Sequence, residues 1–396
     1  MINERMAELG KERSVIREIF EYGNKLKSEI GEDKVFDFSL GNPSIKPPQE
    51  VQKTLENLIK TESPIALHGY TSAQGAASVR MAVADSINNR FAVGITPDDI
   101  YMTCGAAASL TISLSALCND GDEVIILAPY FPEYKVFIKN ARAIPVEVKV
   151  SSNDFQIDAD ALERAITEKT KAIIINSPNN PSGAVLNENS IKTICKILLN
   201  AQNKYNNPIY IIADEPYREL VYGAKVPYIM NHYDNTLVCY SYSKSLSLPG
   251  ERIGYIAVSP KSADKNSVYA AVCGAGRSQG FVCAPSLFQK LVERCTDAVA
   301  DIEEYKKNRD LIYNALCEYG YEPIKPDGAF YLFVKSPEKD AKSFCDKAKK
   351  YGILIVPSDS FGVEGYFRLS YCVDYGKIER SLPLFKKLIE ESKQYE

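Results

Sequence analysis

The sequence contains only two histidines, His68 and His232, in 396 residues. Sites that bind a metal through several imidazoles are therefore excluded, and a Ser-His-Asp triad would have to use one of these two rings. No two of the ten cysteines are spaced C-x-x-C, and most lie within apolar runs. This pattern is typical of buried, reduced thiols in a reducing compartment. We predict no metal site and expect the chemistry to come from Lys, Asp, Tyr, Arg or a cofactor.

Basic residues do not outnumber acidic ones, since 47 Lys and Arg stand against 51 Asp and Glu, for a net charge of −4. No nucleic-acid partner is expected, because binding phosphates needs a basic excess or a dense basic stripe. The longest apolar runs, such as Ile209–Ala213, are only as long as a strand, so no segment is predicted to span a membrane. Residues Met1–Ser14 are charged throughout and lack the apolar core of a signal peptide. We therefore expect a soluble, cytoplasmic protein.

The middle of the chain has the pattern of an α/β domain. Between about residues 98 and 260, short β-rich runs that are apolar on consecutive residues alternate with longer amphipathic stretches such as Ala106–Leu117 and Ser190–Lys204. This alternation predicts a mostly parallel sheet with helices on both faces. The predicted strands are Asp99–Cys104, Glu123–Ala128, Lys171–Asn176, Pro208–Ala213, Thr236–Ser241 and a weaker one at Arg252–Val258.

The two ends of the chain have a different pattern. Residues 11–30 predict one helix, and a long helical pattern runs from Pro285 to about Tyr319. Strands are predicted at Ala329–Val334 and Tyr366–Tyr371, on either side of a helix near residues 338–351. We expect residues 51–285 to form a large domain around the mostly parallel sheet. Residues 1–50 and 286–396 would then form a smaller α+β domain built from both termini.

Small, polar or aromatic residues follow five of the predicted strands, at the edge where a parallel sheet binds its ligands. Each feature alone is weak, because small residues often begin helices and a lone lysine is usually on the surface. Together they supply N–H groups for a phosphate, an aromatic plate, an acid for a ring nitrogen and an amine for an aldehyde, as pyridoxal 5′-phosphate requires. The residues are Gly105 with Ala106 and Ala107, Phe131, Asn179 with Asn180, Asp214 with Tyr217, and Lys244.

The segment Ser241–Gly254 resembles the cofactor-lysine signature of class I/II aminotransferases, in which S-x-S-K is followed by Arg eight residues after the lysine and then by Gly. The resemblance covers nearly the whole chain. The chain is most similar to the aspartate aminotransferase group of the fold type I enzymes, which use pyridoxal 5′-phosphate. Further matches occur in the expected order at Tyr70-Thr71, Gly105, Phe131, Asn179–Pro181, Asp214–Tyr217 and Arg368.

The resemblance implies roles for the residues around the cofactor ring. Lys244 would form the Schiff base with the cofactor aldehyde and then move the substrate Cα proton. Asp214 would keep the ring nitrogen protonated, so that the ring withdraws electrons. Tyr217 and Asn180 would donate hydrogen bonds to the ring 3′-oxygen, and Phe131 would stack on the ring.

The resemblance also implies how the phosphate and the substrate are held. Tyr70 would reach the phosphate of the neighbouring subunit, which implies a homodimer with shared active sites, although a core position for this tyrosine stays open. Arg368 would bind the substrate α-carboxylate, with Gly41 and Asn180 beside it. The phosphate ligands would be the backbone of Gly105, Ala106 and Ala107, the Ser241 hydroxyl, the Ser243 hydroxyl unless it only satisfies local backbone, and the Arg252 guanidinium.

The expected reaction moves the amino group of an L-amino acid to a 2-oxo acid. Aspartate or glutamate is favoured as the donor, and alanine and aromatic amino acids stay open. A side-chain carboxylate would need a second cation, for which Arg277 is the best candidate by sequence position, since Ala106–Ala108 offers no lysine. A C–S β-lyase is the nearest alternative enzyme on the same fold.

Two alternatives that are not enzymes are less favoured. A pyridoxal-phosphate-sensing module of a helix-turn-helix regulator would need a DNA-binding domain, and the roughly 40 residues before Gly41 are too few and not basic. A plain carbohydrate- or nucleotide-binding α/β protein would not require Lys244 and Asp214 together. We therefore predict a pyridoxal-phosphate-dependent aminotransferase.

Overall fold

The computed structural model describes residues 2–11, 14–151 and 154–393. The strands in chain order are β1 (Phe36–Asp37), β2 (Ile100–Thr103), β3 (Glu123–Ala128), β4 (Ile144–Lys149), β5 (Thr170–Asn176), β6 (Tyr210–Asp214), β7 (Thr236–Ser241), β8 (Gly254–Val258), β9 (Glu322–Ile324), β10 (Tyr331–Lys335), β11 (Ile353–Leu354), β12 (Val356–Pro357) and β13 (Tyr366–Ser370). The helices are α1 (Glu4–Lys11), α2 (Val15–Ile30), α3 (Gln49–Thr61), α4 (Pro64–His68), α5 (Ala77–Phe91), α6 (Ala106–Leu117), α7 (Glu133–Asn140), α8 (Ala159–Ala165), α9 (Glu188–Tyr205), α10 (Tyr242–Ser245), α11 (Lys265–Ser278), α12 (Ser286–Cys295), α13 (Ile302–Tyr319), α14 (Ala341–Lys349) and α15 (Tyr375–Lys393). None of the helices in these described ranges is long and apolar enough to cross a membrane.

The large sheet has seven strands in the order β2-β8-β7-β6-β5-β3-β4. Strand β8 is antiparallel to both of its neighbours, and the other neighbouring pairs are parallel. Strands β6 and β7 are buried along their whole length. Burial on both faces requires consecutive apolar residues, which is why these strands could be recognised in the sequence. The predicted α/β fold with a mostly parallel central sheet is confirmed.

Two local predictions differ from the structure. Strand β4 was not predicted, because it lies at the edge of the sheet, contains Pro145 and exposes three of its six side chains. The helical pattern after Pro285 is not continuous, since α12 ends at Cys295 and α13 begins after Asp301, whose carboxylate accepts a hydrogen bond from the Glu303 N–H and caps the new helix. The predicted helix over residues 11–30 is α2 from Val15 onward, and residues 12 and 13 lie outside the described residues.

The smaller sheet is antiparallel, in the order β12-β13-β10-β9, and β1 pairs with β11 in a short parallel ladder beside it. Phe36 and Phe38 near the N-terminus share a core with Phe385 near the C-terminus, so both ends of the chain pack together. The division into domains at residues 50 and 286 stays a prediction. The packing of α12 places Cys295 in the core of the large sheet, whereas Ala300 belongs to the smaller core, which favours a boundary between these two residues.

Candidate active site

A cavity of about 280 Å³ lies between the carboxyl ends of the central strands and the smaller sheet. Strands β6 and β7 end at this cavity, and β10 and β13 face it from the smaller sheet. Of the residues singled out in the sequence, those that line it are Gly41, Ala106, Ala107, Phe131, Asn180, Asp214, Tyr217, Ser241, Ser243, Lys244, Arg252 and Arg368.

Lys244 enters the cavity from the short helix that follows β7. The Ser241 hydroxyl caps this helix by accepting a hydrogen bond from the Ser243 N–H. The Lys244 Nζ donates a hydrogen bond of 2.7 Å to the Gly41 carbonyl oxygen. Burial lowers the pKa of Lys244 to about 8, and the guanidinium groups of Arg252 and Arg368 act in the same direction. Roughly a tenth to a fifth of this amine is therefore neutral near physiological pH, far more than for an ordinary lysine, and the neutral form can attack a carbonyl carbon.

Asp214 is the last residue of β6 and presents a buried carboxyl group to the cavity. Its Oδ2 accepts a hydrogen bond from the Tyr134 hydroxyl, whereas its Oδ1 is buried without a partner among the described residues. Burial raises the pKa of Asp214 to about 7, against the effect of the Tyr134 hydrogen bond. An unpaired buried acceptor is costly, so Oδ1 marks a place for a donor from a ligand. The protonated ring nitrogen of pyridoxal 5′-phosphate fits this requirement.

Another part of the cavity wall has the features of an anion site. Gly105 has a positive φ of 87° and is the N-cap of α6, whose first residues line the cavity. A Cβ at Gly105 would be strained by this φ and would lie 3.1 Å from Nη2 of Arg252. The hydroxyl oxygens of Ser241 and Ser243 are 2.8 Å apart. Helix N–H groups, two hydroxyls and a guanidinium are suitable ligands for a phosphate.

Arg368 on β13 is the principal polar group of the wall formed by the smaller sheet. Its side chain is buried; Nη1 donates to Oδ1 of Asn180 at 3.0 Å and Nη2 donates to the Ser39 carbonyl oxygen. In the described parts of the chain its Nε has no hydrogen-bond partner, and no carboxylate pairs with this guanidinium. Burial lowers the pKa of Arg368, but an arginine stays charged. A buried cation without a counter-ion is completed by an anionic ligand, such as a carboxylate.

Two aromatic residues complete the cavity between these charged groups. Phe131 is half-buried and meets the ring of Tyr134 edge-on, with 5.7 Å between the ring centroids. The hydroxyl oxygens of Tyr217 and Tyr331 are 2.9 Å apart. Burial raises the pKa of Tyr217 well above its ordinary value, so its hydroxyl stays protonated and can donate a hydrogen bond.

Two residues of the site were not found in the sequence. Tyr134, which donates to Asp214, lies in the first turn of α7 and only three residues after Phe131, so its position after β3 was a usable signal. Tyr331 begins the apolar strand β10 and lines the cavity from the smaller sheet. Nothing local distinguishes this tyrosine from a core residue.

Besides Gly105, which directly precedes the lining residues Ala106 and Ala107, two candidate residues do not line the cavity of their own chain. Tyr70 is 99% exposed, so the alternative of a core tyrosine is wrong. Arg277 is exposed in the last turn of α11. A contribution of either residue to an active site would require a second subunit.

Comparison with known proteins agrees with this geometry. The model of the family described as aminotransferase class I and II matches residues 33–382. The chain is 31% identical over 393 residues to the probable aspartate aminotransferase of Methanocaldococcus jannaschii, with 95% of this chain and 97% of that protein covered. It is 28% identical to the aromatic-amino-acid aminotransferase 2 of Thermococcus litoralis, with 96% of each protein covered. A crystal structure of an amino transferase from Eubacterium rectale is 54% identical, with a TM-score of 0.96 and 99% of both chains covered.

These three proteins are named as aminotransferases, and nothing in the comparison supports the C–S β-lyase alternative. The family match spans most of the chain and includes the segment that carries Lys244. The chain therefore belongs to the aminotransferase class I and II family and is a pyridoxal-phosphate-dependent aminotransferase.

Proposed function

We propose that Lys244 is the residue that carries pyridoxal 5′-phosphate and moves the substrate Cα proton. The observation that supports this role is the presence, in one cavity, of a part-buried lysine amine and a buried carboxyl group whose Oδ1 has no partner among the described residues. The bound cofactor supplies an electron-withdrawing ring that stabilises negative charge at Cα. With a pKa of about 8, the Lys244 amine can hold the proton at one stage and release it at the next.

The other residues of the large domain hold the cofactor in this proposal. Asp214 accepts the N–H of the protonated ring nitrogen at Oδ1 and keeps that proton in place. Tyr217 and Asn180 donate hydrogen bonds to the ring oxygen, and Phe131 covers a face of the ring. The residues proposed to bind the phosphate are Gly105, Ala106, Ala107, Ser241, Ser243 and Arg252.

Arg368 is proposed to orient the amino acid. Its unpaired Nε and its two Nη groups can receive a carboxylate through parallel N–H···O bonds. A carboxylate held in this way fixes the direction of the Cα–H bond relative to Lys244, which favours proton transfer. Gly41 and Asn180 lie beside this position, since they contact Lys244 and Arg368 directly.

Aspartate or glutamate is proposed as the amino donor, because the relative from Methanocaldococcus jannaschii is named as a probable aspartate aminotransferase. The cations among the described lining residues are Lys244, Arg252 and Arg368, and all three have other roles here. The rest of the lining includes the apolar side chains of Ile16 and Leu40. A side-chain carboxylate would therefore need a cation from a second subunit, for which Arg277 is the candidate.

A homodimer in the cytoplasm is proposed, with active sites that both subunits complete. Tyr70 is almost fully exposed, and Val282 in the adjoining loop is exposed as well. The two loops are joined by a hydrogen bond of 3.2 Å from the Cys283 Sγ to the Thr71 carbonyl oxygen. Exposed apolar groups that cluster in this way are typical of an interface. We propose that Tyr70 reaches the phosphate of the partner subunit's cofactor.

Mixing two inactive variants tests the shared site. If Tyr70→Phe and Lys244→Ala subunits are unfolded and refolded together, each mixed dimer has one site with both changes and one site with neither. Activity should exceed that of the two variants measured separately, and mass spectrometry of the intact complexes should show the mixed dimers. Mixed dimers without added activity would contradict the shared site.

Chemical trapping tests the role of Lys244. Borohydride reduction of the holoenzyme should attach the cofactor mass to the peptide that contains Lys244, and Lys244→Ala should fold but lose turnover. The absorbance of the bound cofactor should change on addition of an amino donor, and a panel of aspartate, glutamate, alanine and phenylalanine identifies which amino acids serve. Label on another lysine would contradict the assignment, and release of ammonia from cystathionine without a 2-oxo acid acceptor would indicate elimination instead.

A further inference from the structure

Tyr331 lies between three groups that the proposed mechanism uses and has no role so far. It begins β10, is buried, and lines the cavity. In the smaller sheet, Phe333 is paired with Arg368, so Tyr331 is the diagonal neighbour of Arg368 on the same face. The Arg368 Cζ lies 4.7 Å from the centroid of the Tyr331 ring, a cation–π contact closer than the one that Phe361 makes with the same group at 5.2 Å.

The hydroxyl of Tyr331 contacts the hydroxyl of Tyr217 at 2.9 Å. Burial raises the pKa of Tyr331 to about 12, although Arg368 opposes this shift, so both hydroxyls keep their protons at neutral pH. One of the two protons forms the shared hydrogen bond, and the other is left for an acceptor elsewhere. When Tyr331 donates to Tyr217, the Tyr217 proton is the one left for the cavity, and the Tyr217 hydroxyl becomes a stronger donor.

The same hydroxyl also abuts Gly41. A Cβ at Gly41 would lie only 2.0 Å from the Tyr331 hydroxyl oxygen, so no larger residue fits there without moving the tyrosine. The Gly41 carbonyl oxygen is the acceptor for the Lys244 Nζ at 2.7 Å. The Tyr331 hydroxyl thus limits where the backbone that binds the lysine amine can lie.

We propose that Tyr331 is a positioning residue that fixes the relative positions of the Tyr217 hydroxyl, the Arg368 guanidinium and the Gly41 carbonyl. Through its hydroxyl it directs the Tyr217 proton toward the cofactor, and through its ring it holds the group that binds the substrate carboxylate. The inference rests on the roles proposed above for Tyr217, Lys244 and Arg368. The hydroxyl of Tyr331 acts on Tyr217 and its ring acts on Arg368, so the two effects can be separated.

Two substitutions separate these effects. Tyr331→Phe keeps the ring under Arg368 and removes only the hydroxyl. Tyr331→Leu removes both. Tyr321→Phe is the matched control, because Tyr321 is a buried tyrosine of the same core whose hydroxyl donates to the Phe385 carbonyl oxygen at 2.8 Å and does not line the cavity.

The first readout is the pH titration of the absorbance of the bound cofactor. Loss of the Tyr331 hydroxyl weakens the hydrogen bond from Tyr217 to the cofactor oxygen, so in Tyr331→Phe the pKa of the absorbance change should rise by about 0.5 to 1. In the same variant kcat should fall about tenfold while KM changes by less than about twofold. In Tyr331→Leu, KM for every amino acid should rise as well, by about tenfold, because Arg368 loses its support.

The activity of the wild type distinguishes failure of this inference from failure of the proposed function. A wild-type chain that binds no cofactor and converts no amino acid would overturn both. An active wild type, with titrations of Tyr331→Phe and Tyr321→Phe that coincide with its own, would overturn the role of the hydroxyl. Equal KM values in Tyr331→Phe and Tyr331→Leu would overturn the role of the ring.

Discussion

The wall of the cavity formed by the large sheet and the wall formed by the smaller sheet leave opposite kinds of polar group unpaired. On the first wall, Asp214 keeps one carboxyl oxygen without a hydrogen-bond partner. On the second, Arg368 keeps its Nε unpaired and has no carboxylate partner in the described parts of the chain. Asp214 and Arg368 do not pair with each other. Each wall is therefore complementary to a different ligand, the first to a protonated ring nitrogen and the second to a carboxylate.

The difference also explains why the lysine lies where it does. Lys244 belongs to the first wall but donates its hydrogen bond to Gly41 of the second. Its pKa is lowered by burial and by a guanidinium from each wall, those of Arg252 and Arg368. The reactive amine thus depends on both walls, whereas each binding group belongs to one. Separate changes to the two walls should therefore have separable effects.

The largest effect is expected from the second wall. Arg368→Ala should lower kcat/KM for aspartate, glutamate, alanine and phenylalanine alike, because every substrate has the α-carboxylate. The loss should correspond to about 3–5 kcal/mol of transition-state stabilisation. Arg277→Ala is the matched comparison, since this exposed arginine would act only on an acidic side chain. It should lower kcat/KM for aspartate and glutamate and spare alanine.

Steady-state kinetics with the four amino acids check this pair of predictions. Damage from Arg368→Ala that is confined to aspartate and glutamate would contradict its assignment to the α-carboxylate. If Arg277→Ala left the substrate profile unchanged, the proposed preference for aspartate and glutamate would have no cation assigned to it.

The next effect concerns the stability of the first wall without cofactor. The pKa of Asp214 is raised from 3.8 to about 7, so the folded chain binds a proton that the unfolded chain has lost between these pH values. The contribution of Asp214 to the free energy of unfolding is therefore fully present below pH 3.8, and it is lost as the pH rises to about 7. At pH 8, Asp214→Asn should stabilise the cofactor-free chain by up to about 4 kcal/mol, since each pKa unit corresponds to about 1.4 kcal/mol.

Urea unfolding of the cofactor-free proteins at pH 4 and pH 8 measures this difference. Asp301→Asn is a suitable control, because an asparagine at this exposed helix cap keeps the capping hydrogen bond. The same Asp214→Asn change should lower transamination in the holoenzyme. Equal stability of wild type and Asp214→Asn at pH 8 would show that the orphaned carboxyl oxygen is not a cost to the fold.

The smallest effect links the two walls through Lys244. Only the neutral amine attacks an aldehyde, so the rate at which the cofactor-free chain captures pyridoxal 5′-phosphate should rise with pH and level off above about 8. Arg368→Ala removes a positive charge that disfavours the protonated amine, so its midpoint should move to higher pH by a few tenths of a unit. Stopped-flow absorbance measures both curves, and a midpoint near the ordinary lysine value in wild type would contradict the burial of the amine.

Parts of the fold and the site could be predicted from local sequence alone. Buried parallel strands are apolar on consecutive residues, and the polar residues that end them fall at one edge of the sheet, which placed Asp214 and Lys244 together. The edge strand β4 was missed because it has a neighbouring strand on one side only and half of its side chains are exposed, so its apolar run is interrupted. Tyr134 follows β3 and could have been singled out by that position, but its contact with Asp214, 80 positions away in the chain, could not be predicted.

The sequence by itself determined the family, the strands in chain order that are followed by candidate functional residues, and the lysine that carries the cofactor signature. These features depend on residues close together in the chain, so they can be recognised in the sequence alone. Only the tertiary structure decided which polar atoms remain unpaired and what Tyr331 touches. Arg368 donates to the Ser39 carbonyl oxygen, 329 positions away, and Tyr331 meets Tyr217 across 114 positions. Contacts between residues so far apart in the chain form only in the folded protein, where burial makes an unpaired charge costly and a hydrogen bond between two hydroxyls effective.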